Sequence, residues 1–202
     1  MRAKGPWSNA EVEAFLEDVR VPIRLACTAW RVTVLLLLLS VAGCTAARRP
    51  LEVADDVDLE RYAGRWYEIA SFPQRFQEGC VATTAEYALR DDGRIRVENR
   101  CRDRSFDGPV RSVEGVAWRT DPERTNAKLA VQFFWPFRGA YWIVAIDPDY
   151  RWAVVGHPSR DFLWILSREP ALDPVLYDRL LEGIEAQGFD PARLRRTPQP
   201  LP

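Results

Sequence analysis

The stretch Gly64-Arg65-Trp66-Tyr67-Glu68-Ile69-Ala70 carries the first side chains with chemistry to offer. Gly64 and Trp66 are two residues apart, so on a strand they share a face, glycine permitting close backbone approach and tryptophan filling space. Glu68 falls on that face too, and a carboxylate carried inward beside Trp66 needs a partner. Far along the chain, Arg168 ends the run 161–168, where a guanidinium stacks on Trp66 if the first and last strands are neighbours. That condition requires a closed sheet. Catalytic chemistry is harder to find. The single histidine, His157, ends a strand-like run, and neither a metal-ligand cluster nor a Ser/His/Asp set is legible. No metal or cofactor is implied.

The elements that position these residues follow from alternation and turn chemistry. Strand-like runs cover 64–72, 80–90, Arg94 to Cys101, 110–119, 127–135, 140–147, 151–157 and 161–168. Asp91-Asp92-Gly93, Thr120-Asp121-Pro122, Pro136-Phe137-Arg138-Gly139 and Pro148-Asp149 supply turns between them. In the first run Trp66, Glu68 and Ala70 share one face, with Tyr67, Ile69 and Ser71 on the other. Eight short strands at regular spacing make an all-β sandwich or barrel, and an even count brings the start of the first and the end of the last to one end. Asp58 to Ala63 forms a helical turn before the first strand. Asp173 and Pro174 open a helix whose apolar positions, Val175, Leu176, Leu180, Leu181 and Ile184, form one face for packing outside the sheet. The domain runs from 57 to 190, and the Pro-rich tail 191–202 is irregular or adds one short strand.

The chain has 202 residues, 47% of them hydrophobic, and a formal charge of -1, which suits one domain and excludes a nucleic-acid binder by charge. Residues 32–43 are apolar, follow Arg24 and Arg31, and are too short for a membrane span of ~20 residues. They end in Val41-Ala42-Gly43-Cys44, which resembles the bacterial lipobox. Residues 1–43 are therefore the signal-peptide region, and 44–56 is a polar tether from lipidated Cys44. Thr45 after that cysteine is similar to the pattern of lipoproteins sorted to the outer membrane, facing the periplasm. Residues 1–30 fit badly, because Glu11, Glu13, Glu17 and Asp18 precede the basic region. Either translation starts later, at Val21 or Val32 if the codon is GTG, or the segment is a cytoplasmic extension lost on processing. Cys27 leaves with the signal peptide and Cys44 is consumed by lipid. Cys80 and Cys101 remain, and an oxidising periplasm favours their disulfide. A plain hairpin ladder sets Cys101 opposite Thr83 or Thr84, so a bulge or fold-back is required to bring the pair within ~7 Å.

Gly64-Arg65-Trp66, Tyr67-Glu68-Ile69-Ala70, Asp91-Asp92-Gly93, Leu163-Trp164-Ile165-Leu166-Ser167-Arg168, the lipobox and the final helix together resemble the lipocalins, specifically the bacterial outer-membrane lipoprotein branch related to apolipoprotein D. The resemblance covers about Val57 to Phe189. It implies an eight-stranded antiparallel up-and-down barrel with one open mouth, a C-terminal helix against its wall, and room for one small ligand. It also implies fatty acids or lysophospholipids as ligands, envelope maintenance or stress as the role, and a monomer or homodimer. Two departures are the Cys80/Cys101 pair, which not every bacterial member carries, and Arg138, where relatives have an aromatic. The rival classes are a lipocalin-fold enzyme, isomerase or redox, and a structural envelope lipoprotein with a filled barrel.

Strand direction places the mouth away from Trp66. The aromatics Phe72, Phe76, Trp135, Phe137, Phe162 and Trp164 then form an apolar rim for an acyl chain. Arg138 is the head-group partner through bidentate hydrogen bonds to a carboxylate or phosphate. Tyr87, Glu114 and Trp118 are further expected interior residues.

Overall fold

The computed structural model describes residues 49–200. Cys44, the apolar run before it and most of the proposed tether lie outside them. A four-residue helix α1 (Leu59–Tyr62), capped by Asp58 through its carboxylate on the Glu60 and Arg61 amides, precedes eight long strands. These are β1 (Gly64–Ser71), β2 (Cys80–Leu89), β3 (Ile95–Asp103), β4 (Val110–Arg119), β5 (Lys128–Phe134), β6 (Phe137–Ile146), β7 (Trp152–Gly156) and β8 (Leu163–Ser167). Each pairs antiparallel with the next, and β1 pairs with both β2 and β8, so the sheet closes. Closure leaves no free edge between first and last strands.

Helix α2 (Pro174–Ala186) starts where expected, with the Asp173 side chain accepting from the Leu176 amide and proline in the first turn. Its inward face is Tyr177, Leu180 and Ile184; Val175, expected to be buried, is exposed. Spacings of three and four select Tyr177 over Val175 once Leu180 and Ile184 face the wall. That face meets the outer sides of β1, β6, β7 and β8 through Ile69, Val144, Val154, Leu163 and Ile165.

Four register shifts interrupt the ladders, in the β1–β8, β2–β3, β5–β6 and β6–β7 pairs, and two of them decide where expected residues point. In β1 the register shifts between Glu68 and Ala70. Ala70 and Phe72 therefore turn out toward α2 instead of inward with Trp66, and Phe72 packs on Phe189 at 6.2 Å. Phe72 is thus no part of the mouth. In β2 the register shifts between Val81 and Thr84, around Ala82 at φ 51°. This one-residue slip brings Cys80 to Cys101, whose α carbons lie 5.5 Å apart in a disulfide.

The chain ends are docked. Leu51 is buried against the α2 side, and the Ala54 amide donates to Ile143 O at 2.9 Å, so the expected tether becomes part of the domain from Leu51 onward. β1 pairs with β2 only over Gly64 to Tyr67. Beyond that point the tail strand β9 (Arg195–Arg196) joins β1 opposite Ala70 and Ser71. The Ala82 amide then donates to Pro198 O at 2.8 Å. The C-terminal tail therefore fills the seam where β1 and β2 part.

Candidate functional site

At the closed end the Arg168 guanidinium carbon stands 3.9 Å from the Trp66 ring centroid. Its nitrogens donate to the carbonyls of Arg65 at 2.7 Å, Arg61 at 2.8 Å and Ala63 at 2.9 Å. The Trp66 indole donates to Tyr62 O at 2.8 Å. Gly64 has φ +94°, and a β carbon there would sit 3.3 Å from Arg168 Nη1, so glycine permits both the turn and the clamp. Burial lowers the Arg168 pKa, partly offset by Tyr62. These residues seal one end of the barrel.

Above this plug lies a hydroxyl cluster that alternation alone did not reveal. Tyr141 Oη meets Tyr62 Oη at 2.6 Å and Tyr87 Oη at 2.7 Å. Burial is the main cause raising all three pKa values, with Tyr87 pushed up to about 12. Three O–H groups share two contacts, so one phenolic proton is left for a guest or a water. Tyr87 was expected in the interior. Tyr62 and Tyr141 were not singled out; Tyr141 shares strand parity with the inward Ile143, whereas Tyr62 lies on the short helix α1 and carries no such signal.

Exposure increases from this floor to the mouth. Trp66, Ile95, Leu129 and Ile143 are buried, whereas Val131, Phe133, Tyr141 and Trp164, packed against the same inner cluster, are only half-buried. Phe133 crosses Gly115, where a β carbon would come within 2.6 Å of its ring. Phe162 stacks on Trp164 with centroids 6.3 Å apart and planes 11° apart. The mouth half of the inner face is thus lined by partly exposed apolar and aromatic side chains.

The other expected rim residues divide. Phe76 and Phe137 are half-buried at the mouth, while Trp135, in the β5–β6 turn, is 86% exposed. Arg138 lies within β6 rather than in a turn, and alternation from inward Tyr141 sets it on the exposed outer side of the rim. Glu114 and Trp118 face outward: Ala117 is the inward residue of β4, and Glu114 reaches Arg96 at 3.5 Å. The expectation that they line the interior fails because β4 presents Val113, Gly115 and Ala117 inward. His157 Nδ1 is engaged by the Ser159 hydroxyl at 2.7 Å and its amide at 3.1 Å, and burial lowers the ring's pKa. Glu68 is buried, and its partners are Ser71, Gln77 and Thr197.

A lipocalin-like domain model matches residues 57–199. Temperature-induced lipocalin-1 of Arabidopsis thaliana is 42% identical over 160 residues, covering 75% of this chain and 84% of that protein. The outer membrane lipoprotein Blc of Escherichia coli K12 is 40% identical over 162 residues, covering 79% and 90%. Apolipoprotein D of Mus musculus is 35% identical over 156 residues, covering 73% and 79%. Among solved structures, insecticyanin of Manduca sexta aligns with a TM-score of 0.57 at 23% identity, covering 73% of this chain and 82% of that one. With the closed eight-stranded barrel, the Trp66–Arg168 seal and these matches, the chain belongs to the lipocalin-like family.

Proposed function

We propose that this protein is a lipid-anchored carrier of single-chain amphiphiles, fatty acids or lysophospholipids, in the bacterial envelope. The observation that carries the reading is the graded interior, a buried floor rising to half-buried Val131, Phe133 and Trp164 beneath the Phe162 stack. A channel with one mouth and aromatic walls takes one acyl chain more readily than two. The anchor rests on Val41-Ala42-Gly43-Cys44 and on the 40% identity to a protein named as an outer membrane lipoprotein. The periplasmic face of the outer membrane follows as its place, with roles in membrane maintenance or stress. Arg138, with Trp135 and Phe137 beside it, is the rim cation for a fatty-acid carboxylate leaving the mouth. The protein acts by binding, without turnover.

Tryptophan fluorescence tests this directly, because Trp164 lies along the channel and Trp135 at its rim. Oleate and lysophospholipids should titrate it at micromolar concentration and outcompete diacyl lipids, and Arg138→Ala should weaken anionic ligands more than neutral ones of equal chain length. Absence of any acyl binding would sink the carrier reading. Several acyl chains, at about 0.8 kcal/mol per buried methylene, should hold the mature protein on membranes. Cys44→Ala should therefore move it to the soluble fraction.

A further inference from the structure

Beside the seam filled by the tail lies a cavity of about 530 Å³, lined by Glu68, Ser71, Gln74, Arg75, Gln77 and the Arg195–Pro198 segment, among others. Its chemistry is unbalanced in one direction. Glu68 is 5% exposed. Its Oε1 accepts from Ser71 Oγ at 3.0 Å and Thr197 Oγ1 at 2.5 Å, and its Oε2 from Gln77 Nε2 at 2.9 Å. All three donors are neutral. Among the described residues no cation pairs with this buried carboxylate, a costly arrangement unless something else supplies the charge.

The neighbouring side chains add acceptors. Gln77 spends its amide nitrogen on Glu68, which fixes Oε1 as the free atom, and that oxygen is buried without a partner. Gln74 is 7% exposed, lines the cavity, and has both amide atoms unpartnered. Gln199 bridges Glu68 O and Thr83 O through its nitrogen at 2.8 Å each, leaving its own oxygen and the Thr83 hydroxyl unpaired. Every buried side-chain polar atom without a partner among the described residues belongs to these four residues. Such atoms are rare in folded proteins, and several in one corner mark a place built for a guest. Arg75 and Arg195, which also line the cavity, are exposed. The inner end therefore offers negative charge and acceptors, while the outer rim carries the Arg75 and Arg195 guanidinium groups beside the exposed Glu78 carboxylate, with Arg195 Nη1 held by the Ala192 and Leu194 carbonyls.

We propose that this cavity binds a phosphoethanolamine head group, with the primary ammonium on Glu68, Gln77 and Gln74 and the phosphate at the Arg75 and Arg195 rim. An ammonium bears three N–H donors and one positive charge, matching what the inner end lacks; a quaternary ammonium bears no donor. The inference rests on the carrier reading and deepens it. Ser71 lines the cavity and is the register partner of Trp164, so the two side chains share the inner face of the β1–β8 pair, and chain and head group of one lysolipid lie side by side on that face.

The test is a fluorescence titration with oleate, lysophosphatidylethanolamine and lysophosphatidylcholine, the two lysolipids carrying the same acyl chain. The ethanolamine lipid should bind about tenfold tighter or better. Gln77→Leu or Gln74→Leu should bring it down to the choline lipid while leaving oleate and the choline lipid unchanged. If oleate binds but the wild-type protein treats the two lysolipids alike, the head-group site is overturned and the carrier reading stands; this comparison needs no variant to fold. If neither oleate nor any lysolipid binds, both fall. Soluble O-phosphoethanolamine binding as tightly as the lysolipid would also overturn the proposal, since the acyl chain would then contribute nothing.

Discussion

Arg168 meets the rest of the molecule almost entirely through backbone carbonyls and one indole face, so its role belongs to stability rather than ligand choice. Arg168→Ala removes a cation–π contact and several charge-assisted hydrogen bonds, a loss of about 2–4 kcal/mol. In a domain of this size the melting temperature should fall by roughly 5–12 °C, read by circular dichroism, with acyl affinity little changed. A large affinity loss at unchanged stability would invert the assignment of mouth and floor. The tyrosine cluster makes a pH prediction. Tyr87 titrates near 12 in the fold against an ordinary value of 10. The folded state then holds its proton while the unfolded chain has released it, and stability present below pH ~10 is lost as pH rises toward 12. For Tyr87 alone the loss is on the order of 3 kcal/mol. Urea unfolding across that window should steepen downward with pH, and Tyr87→Phe should flatten part of the slope.

At the scale of elements, the β2 bulge and the tail strand each do something the ladder cannot. The bulge near Ala82 brings Cys80 within bonding distance of Cys101 and closes a chain segment with a sequence separation of 21 residues. Mass spectrometry of unreduced peptides should find the linked pair. Replacing both cysteines by serine should cost about 3 kcal/mol through the loss of loop constraint. The tail strand supplies hydrogen bonds to both sides of the seam, to Ile69 O through the Thr197 amide and from the Ala82 amide to Pro198 O. A chain ending after Leu194 should keep its barrel signature yet melt lower, with faster amide exchange confined to the mouth halves of β1 and β2. Unchanged exchange there would mean that the tail only rests on the seam.

On the scale of the whole molecule, two apolar clusters share one wall. One fills the barrel around Trp66, Tyr87 and Leu129; the other lies between the outer wall and α2 around Ile69, Leu163 and Ile184. The strands β7 and β8 serve both, which is why Ala153, Val154 and Val155 are all buried and why their sequence reads as a continuous apolar run rather than an alternation. The helix backs the wall formed by β1, β6, β7 and β8. Ligand entry should leave α2 unchanged and act on the mouth, so hydrogen exchange with and without oleate should differ in the β5–β6 and β7–β8 turns and not in Pro174–Ala186.

Strand number, most turn positions, the helix start at Asp173, the Trp66–Arg168 pairing and barrel closure were legible in the sequence, because period-two alternation, capping chemistry and the parity of eight strands are local or countable properties; the turn expected over 136–139 was not, since β6 already begins at Phe137. The disulfide partners were legible from the cysteine count, although the bulge that joins them was only a requirement. Which face of β4 turns inward was not, since Val113-Glu114-Gly115-Val116-Ala117-Trp118 alternates equally well either way; a β carbon at position 115 would strike Phe133, and that crowding is visible only with the neighbouring strand in place. Nor could the sequence show that Ala70 and Phe72 turn toward α2, because one bulged residue exchanges the faces of every position after it. The partners of Glu68 come from residues 71, 77 and 197, and the Tyr62–Tyr141–Tyr87 cluster from three separate elements. Such long-range polar pairing has no periodic signature, so only the tertiary structure decided it.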